Sequence, residues 1–218
     1  MEYNTLSFFR TLIPGLMLFL FFMLLLTNDF NEIGNISKFF RDFELKDTFY
    51  ISIFLVVGAI YYIFKIRNIL WKPFYRRVQN NIKNQLLNPV INKLSVAQKE
   101  KLKEKKKLIN IFYYFVDLDA SLKEKAKRIR FNGLIWSSCV DLSTISFMTS
   151  IAFLIKFIFI GTNYSIIIST LLILLAAIAL IFVVILTNRH ISLSNEQLDM
   201  ICQIYRRRLE EKIFEQLG

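Results

Sequence analysis

Asp117 and Asp119 flank Leu118, and an Asp-x-Asp pair is a spacing that can hold Mg2+ against a phosphate substrate. Asp119 has a competing role. Ser121 and Glu124 read as a capping box that opens a helix, and a carboxylate just before a helix satisfies free backbone N–H groups. His190 is the single histidine and follows Arg189; no Cys or carboxylate stands at a spacing that would complete a metal site with it. Glycine-rich phosphate loops, a serine nucleophile elbow and a metalloprotease histidine pair are all missing from the sequence. The expectation is a protein that is not an enzyme and holds neither metal nor cofactor.

Polar side chains also occur where they are expensive. Four apolar runs, Thr11 to Thr27, Thr48 to Phe64, Leu142 to Ile160 and Ser165 to Thr187, are long enough or nearly so to cross a hydrocarbon core of about 30 Å as helices. The third is the most polar. At 100° per residue Asp141, near its inner end, and Lys156, near its outer end, share a side with Ser138 and Thr149, while Ser143, Ser146 and Ser150 mark a second small, polar side. These residues have two readings: they line a water-filled path, or they hydrogen-bond to neighbouring helices.

The third chemistry is charge. From Lys65 to Gly133 there are eighteen Lys and Arg against five Asp and Glu, whereas the first loop carries three basic residues against five acidic ones. Lys65, Arg67, Arg128 and Arg130 lie close to span ends and read as topology and lipid anchors. If the run Lys99, Lys101, Lys103, Lys105, Lys106 and Lys107 stands tens of ångströms from the membrane, beyond a Debye length of about 8 to 10 Å, lipid does not account for it. Its two readings are then a docking face for an acidic protein or nucleoprotein partner and a solvated helix face. Arg206, Arg207 and Arg208 form a compact triplet, with Glu210, Glu211 and Glu215 following at intrahelical pairing distance.

These groups must be positioned by helices. At 218 residues and 55% hydrophobic, with 22 Phe, the chain is too apolar for an ordinary soluble domain. The reading is all-α: an integral membrane four-helix bundle with helical cytoplasmic extensions. Its parts are the first two spans with a short outer loop (1–64), basic amphipathic cytoplasmic helices (65–133), the third and fourth spans (134–190) and a C-terminal amphipathic helix (191–218). Pro14 and Gly15 fall in the first turn of the first span; Ile36 to Phe43, with Phe39 and Phe40, form an amphipathic piece of the outer loop; and Gly58 with Ala59 permits close helix approach.

Along the basic segment, Pro73 kinks or restarts the chain and Pro89 ends the Phe74, Val78, Ile82, Leu86 stripe. Ser95 and Gln98 form a capping box for one helix holding both the lysine run and the apolar Leu108, Ile109, Phe112, Phe115 and Val116. Ser194 and Gln197 cap a tail helix whose Ile201, Tyr205, Leu209, Ile213 and Leu217 form a stripe in need of a partner.

The lysine-rich middle places the central segment and both termini in the cytoplasm of a bacterial inner membrane. Thr27-Asn28-Asp29 offers no small-residue pair for signal cleavage, so the first run is a retained span. Cys139 and Cys202 then meet no oxidising compartment.

In length, span count and basic cytoplasmic segment, the chain resembles the small multi-span membrane components found beside prokaryotic anti-phage and CRISPR effectors, namely the membrane subunit type of the Kiwa system and the membrane accessory proteins of type VI-B CRISPR loci. That resemblance implies a defence role. Some such accessory proteins carry an Arg-x4-6-His ribonuclease-like motif; no Arg precedes His190 at that spacing, so no nuclease activity carries over. Two functional expectations follow. One is a homo-oligomeric membrane effector whose third span faces a shared axis and opens a pore, since four close-packed helices leave no conduit of their own. The other is a non-conducting scaffold or sensor that holds a cytoplasmic protein or nucleoprotein through the basic helices.

Overall fold

The computed structural model describes residues 3–42, 48–104 and 106–217. Among them the chain is all-α, without strands. The helices are α1 (Tyr3–Leu26), α2 (Ile33–Asp42), α3 (Thr48–Ile63), α4 (Asn68–Leu87), α5 (Val96–Lys103), α6 (Lys107–Leu118), α7 (Ala120–Ile160), α8 (Asn163–Ile204) and α9 (Arg206–Glu215), with a 3-10 turn at Asn88–Lys93. Three of them, α1, α7 and α8, are long and apolar enough to cross a membrane; α3 is apolar but shorter. The protein is accordingly a membrane protein with transmembrane helices.

The chain divides into two compact units, residues 1–71 with 134–184 and residues 72–133 with 185–218. Charge divides with them. The second unit holds 21 Lys and Arg against 10 Asp and Glu, and the first holds 7 against 7, so the whole net charge of +11 belongs to the second.

In the first unit α1 and α3 touch backbone to backbone. A Cβ on Gly15 would stand 1.8 Å from the Phe54 carbonyl oxygen, and one on Gly58 would stand 2.0 Å from that of Thr11. Only glycine permits this approach. Because α1 begins at Tyr3, Pro14 is buried inside the helix rather than in its first turn, and its missing N–H leaves the Arg10 carbonyl without the usual helical donor. Phe21, Tyr61, Ile145, Phe153, Tyr164, Ile168 and Leu172, drawn from α1, α3, α7 and α8, form the core. Asp29 accepts from the N–H groups of Asn31 and Glu32 and turns the chain into α2. Phe43 lies outside the described residues, as do the side chains of Phe39 and Phe40.

The second unit is built on Leu86, Leu102, Leu108, Phe115, Leu122, Leu198, Ile201, Leu209 and Ile213, all at most about 3% exposed. The tail stripe is therefore covered within the chain: Ile201, Leu209 and Ile213 are fully buried and the Tyr205 ring lies 5.6 Å from that of Phe115. Ser95 and Gln98 make both hydrogen bonds of the capping box and open α5. The helix they open is short, however. The chain leaves it at Glu104 and restarts as α6 after Lys106, which sits at φ 62°. A helix carried through this region would align like charges three and four residues apart, and the break releases Leu108, Ile109, Ile111, Phe112, Phe115 and Val116 to bury their own face.

Two expected caps are replaced. Asp119, not Ser121, caps α7, accepting from the N–H groups of Ser121 (2.7 Å) and Leu122 (3.1 Å). Ser194 and Gln197 begin nothing, because α8 runs unbroken to Ile204; the Ser194 hydroxyl donates to the His190 carbonyl and Gln197 Nε2 to the Leu122 carbonyl.

Candidate functional site

Several polar residues of α7, Asp141, Ser143 and Lys156 among them, tie helices of the first unit together. Tyr61 Oη donates to the Asp141 carboxylate at 3.1 Å, and Arg67 Nε stands 3.6 Å from the same oxygen. Asp141 is 1% exposed and Arg67 8%. Arg67 also donates to Tyr62 Oη, and its guanidinium lies 4.9 Å from the ring centres of both Tyr62 and Trp71. Trp71 in turn packs on Trp136, with centroids 4.1 Å apart. The turn between α3 and α4 is thereby fastened to α7 by a charge pair with an aromatic wrapping, an arrangement suited to guanidinium.

Lys156 is committed elsewhere. Its ammonium donates to the carbonyls of Leu25 (2.8 Å) and Thr27 (2.5 Å), the unsatisfied C-terminal end of α1, which carries the negative pole of that helix. Thr27 also shares a hydrogen bond with Tyr164 Oη, joining α1 to α8. Ser143 donates to the Ala176 carbonyl and Ser169 to that of Ser150, joining α7 to α8, while Ser150 donates to Phe147 within its own helix. Ser146 is fully buried, and its hydroxyl has no hydrogen-bond partner among the described residues. Thr149 and half-buried Ser138 complete the expected polar faces; Thr149 borders an apolar cleft and Ser138 donates to the Leu134 carbonyl. Asp141 and Lys156 share a helix side in the sequence and serve separate junctions in the structure.

Arg67 is thus buried in the bundle and paired, where the sequence suggested a lipid anchor. Lys65 is exposed, at φ 52°. The members of the site absent from the residues singled out above are Tyr61 and Tyr62, an aromatic pair near the inner end of an apolar run, a place where headgroup anchoring is the ordinary expectation. A signal for them existed: Arg67 and Asp141 are opposite charges close to the inner ends of two apolar runs, and each needs a partner.

In the second unit Arg128 and Arg130 on α7 and Lys103 and Lys106 around the α5–α6 break are exposed, and Lys99 is half-buried. Lys105 lies outside the described residues. Lys101 and Lys107 reach the C-terminal end of α9, donating to the carbonyls of Leu217 (2.8 Å) and Gln216 (2.9 Å), as cations at a helix C-terminus do. Lys93 pairs with Glu210 at 2.6 Å and holds that carboxyl below its ordinary range. Arg206 and Arg207 pair with Glu210 and Glu211 at 3.6 and 3.3 Å, one turn away, and Arg208 lies 5.3 Å from the Tyr114 ring centre. An open groove of about 440 Å3 nearby is lined by Arg77, Asn188, Asn195, Glu196 and Asp199, charges of both signs.

Asp119 accepts from Ser121 Oγ (2.6 Å) and Tyr205 Oη (2.5 Å) besides its two backbone donors. These hydrogen bonds, the Ser121 and Tyr205 hydroxyls foremost, hold its carboxyl far below the ordinary carboxylate range. A carboxylate with this many donors is a structural hook joining the α6–α7 turn to the end of α8. No group of three or more metal-ligating side chains occurs among the described residues. Burial, then the nearby Asp199, pushes the Cys202 thiol up to about 11, so it is a poor nucleophile.

Comparison with known proteins decides no family. No protein-family model, curated protein or solved structure matches the chain. Its function must be argued from its own geometry.

Proposed function

We propose that this protein is a non-enzymatic membrane scaffold, anchored in a bacterial inner membrane by four crossings with both termini cytoplasmic, whose basic helical unit recruits an acidic cytoplasmic protein or nucleoprotein. The observation that carries the reading is the partition of charge: all of the +11 net charge lies in one compact helical unit, and the apolar unit is neutral. A surface with this balance attracts polyanions over distances a Debye length sets and accelerates their encounter.

α3 serves as the fourth crossing. At 16 residues it is about 24 Å long, and local thinning of the bilayer takes up the difference. The competing expectation, an oligomeric pore lined by α7, requires Asp141, Ser143 and Lys156 to leave the partners that now satisfy them. Interhelix hydrogen bonds and a buried charge pair favour a rigid anchor instead. A role in a defence system, as the resemblance implies, is compatible with a scaffold that holds an effector at the membrane.

The test is co-purification of the partner from detergent-solubilised membranes, with Lys103→Glu and Lys106→Glu combined. At least a tenfold drop in partner recovery, with unchanged scaffold yield, supports the proposal; undiminished recovery contradicts it.

A further inference from the structure

α1, α3 and α7 leave between them a cleft of about 210 Å3, lined almost wholly by apolar side chains, among them Leu18, Ile60, Ile145 and Met148. Phe64 and Ile66 belong to the same wall, and they bracket Lys65. That lysine departs from ordinary backbone geometry: at φ 52° it occupies the left-handed region, which a lysine rarely adopts. The Lys65 N–H donates to the Tyr62 carbonyl and its own carbonyl accepts from Asn68, so the unusual conformation is built into the turn between α3 and α4.

Two cations stand in this turn, and they have different fates. Arg67 is buried and paired with Asp141, whereas Lys65 is exposed and has no ion pair among the described residues. Ile63 and Phe64 beside it are about 73% and 70% exposed, so the surroundings of the lysine are apolar and outward-facing. Lys65 does not itself line the cleft, but both of its chain neighbours do, so the occupant that suits the two features together is an amphiphile, apolar along the cleft and negative beside the Phe64–Ile66 wall.

We propose that the cleft is a binding site for a single anionic glycerophospholipid, one acyl chain lying against Ile60 and Met148 and the phosphate pairing with Lys65. The site is independent of partner recruitment by the basic unit. A zwitterionic lipid with the same chains gains the apolar contact but offers no net charge to the lysine.

Native mass spectrometry of the full chain released from detergent tests this, with phosphatidylglycerol and phosphatidylcholine of identical acyl chains as probes. The expected result is retention of phosphatidylglycerol about fivefold above phosphatidylcholine, the effect of one lysine near an anionic headgroup. Lys65→Asn removes the charge with a residue at home at positive φ, and it abolishes the preference while leaving both lipids bound. Met148→Trp fills the cleft and lowers retention of both. Equal retention by the wild type, or a preference that survives Lys65→Asn, overturns the proposal. Inorganic phosphate binding with the same Lys65 dependence overturns it too, in favour of a site for the anion alone. Should Met148→Trp fail to fold, the Lys65→Asn comparison decides.

Discussion

Arg67 Nε lies 3.6 Å from the Asp141 carboxylate, with the two side chains 10% and 2% exposed, and Tyr61 Oη completes the contact at 3.1 Å. Removing one charge of such a pair strands the other. Asp141→Asn is expected to destabilise the detergent-solubilised protein by about 3 to 5 kcal/mol, and Arg67→Met combined with Asp141→Leu to recover much of that loss, because a well-packed apolar pair carries no desolvation penalty. Thermal unfolding of the wild type and the two variants checks it; equal stability of wild type and Asp141→Asn would sink the pair's structural role.

The α1–α3 seam tolerates no side chain. Gly15→Ala places a methyl carbon 1.8 Å from the Phe54 carbonyl oxygen, and Gly58→Ala places one 2.0 Å from that of Thr11. Backbone must move, at a cost of about 1 to 3 kcal/mol or more. Gly34→Ala, whose new methyl would meet nothing within 4 Å, is the control. Yield of monodisperse protein after solubilisation should fall for the first two and hold for the third.

Asp119 makes stability depend on pH with a definite sign. Its folded carboxyl is depressed by hydrogen bonds from Ser121 and Tyr205, so it stabilises the fold above the ordinary carboxylate range. That stabilisation is lost as pH falls from about 4 toward the folded value. The melting-temperature gap between wild type and Asp119→Ala should be full at neutral pH and shrink steadily below pH of about 4. A gap that stays constant on acidification contradicts the hook.

Conduction is a further discriminator. With Asp141, Ser143 and Lys156 engaged inside one chain, purified protein should be silent in planar bilayers. Single-channel currents whose ion selectivity changes in Lys156→Gln would instead establish a pore.

How much of this was legible in the sequence depends on the distance between partners. The Ser95–Gln98 box was readable because both partners lie within one helical turn, and the long apolar helices because their period and length are local properties. The α5–α6 break was hidden, since Lys103 to Lys107 are all charged residues that a solvated helix accommodates, with no Gly or Pro to mark a stop, and only burial of the α6 face reveals the need for a new direction. Ser194 and Gln197 matched a cap in composition while their hydrogen bonds go to His190 and to distant Leu122. Polar residues on α7 stood out as costly. Their partners, Arg67, Ala176, Leu25 and Thr27, are remote in sequence, and no spacing rule reaches that far.

Recruitment by the basic unit requires that unit to face the cytosol. Lys103→Cys, exposed on that unit, combined with Cys139→Ser and Cys202→Ser, can be labelled in intact cells with a membrane-impermeant maleimide. The account predicts no labelling until the inner membrane is opened, then rapid reaction. Labelling of residue 103 in intact cells would contradict it.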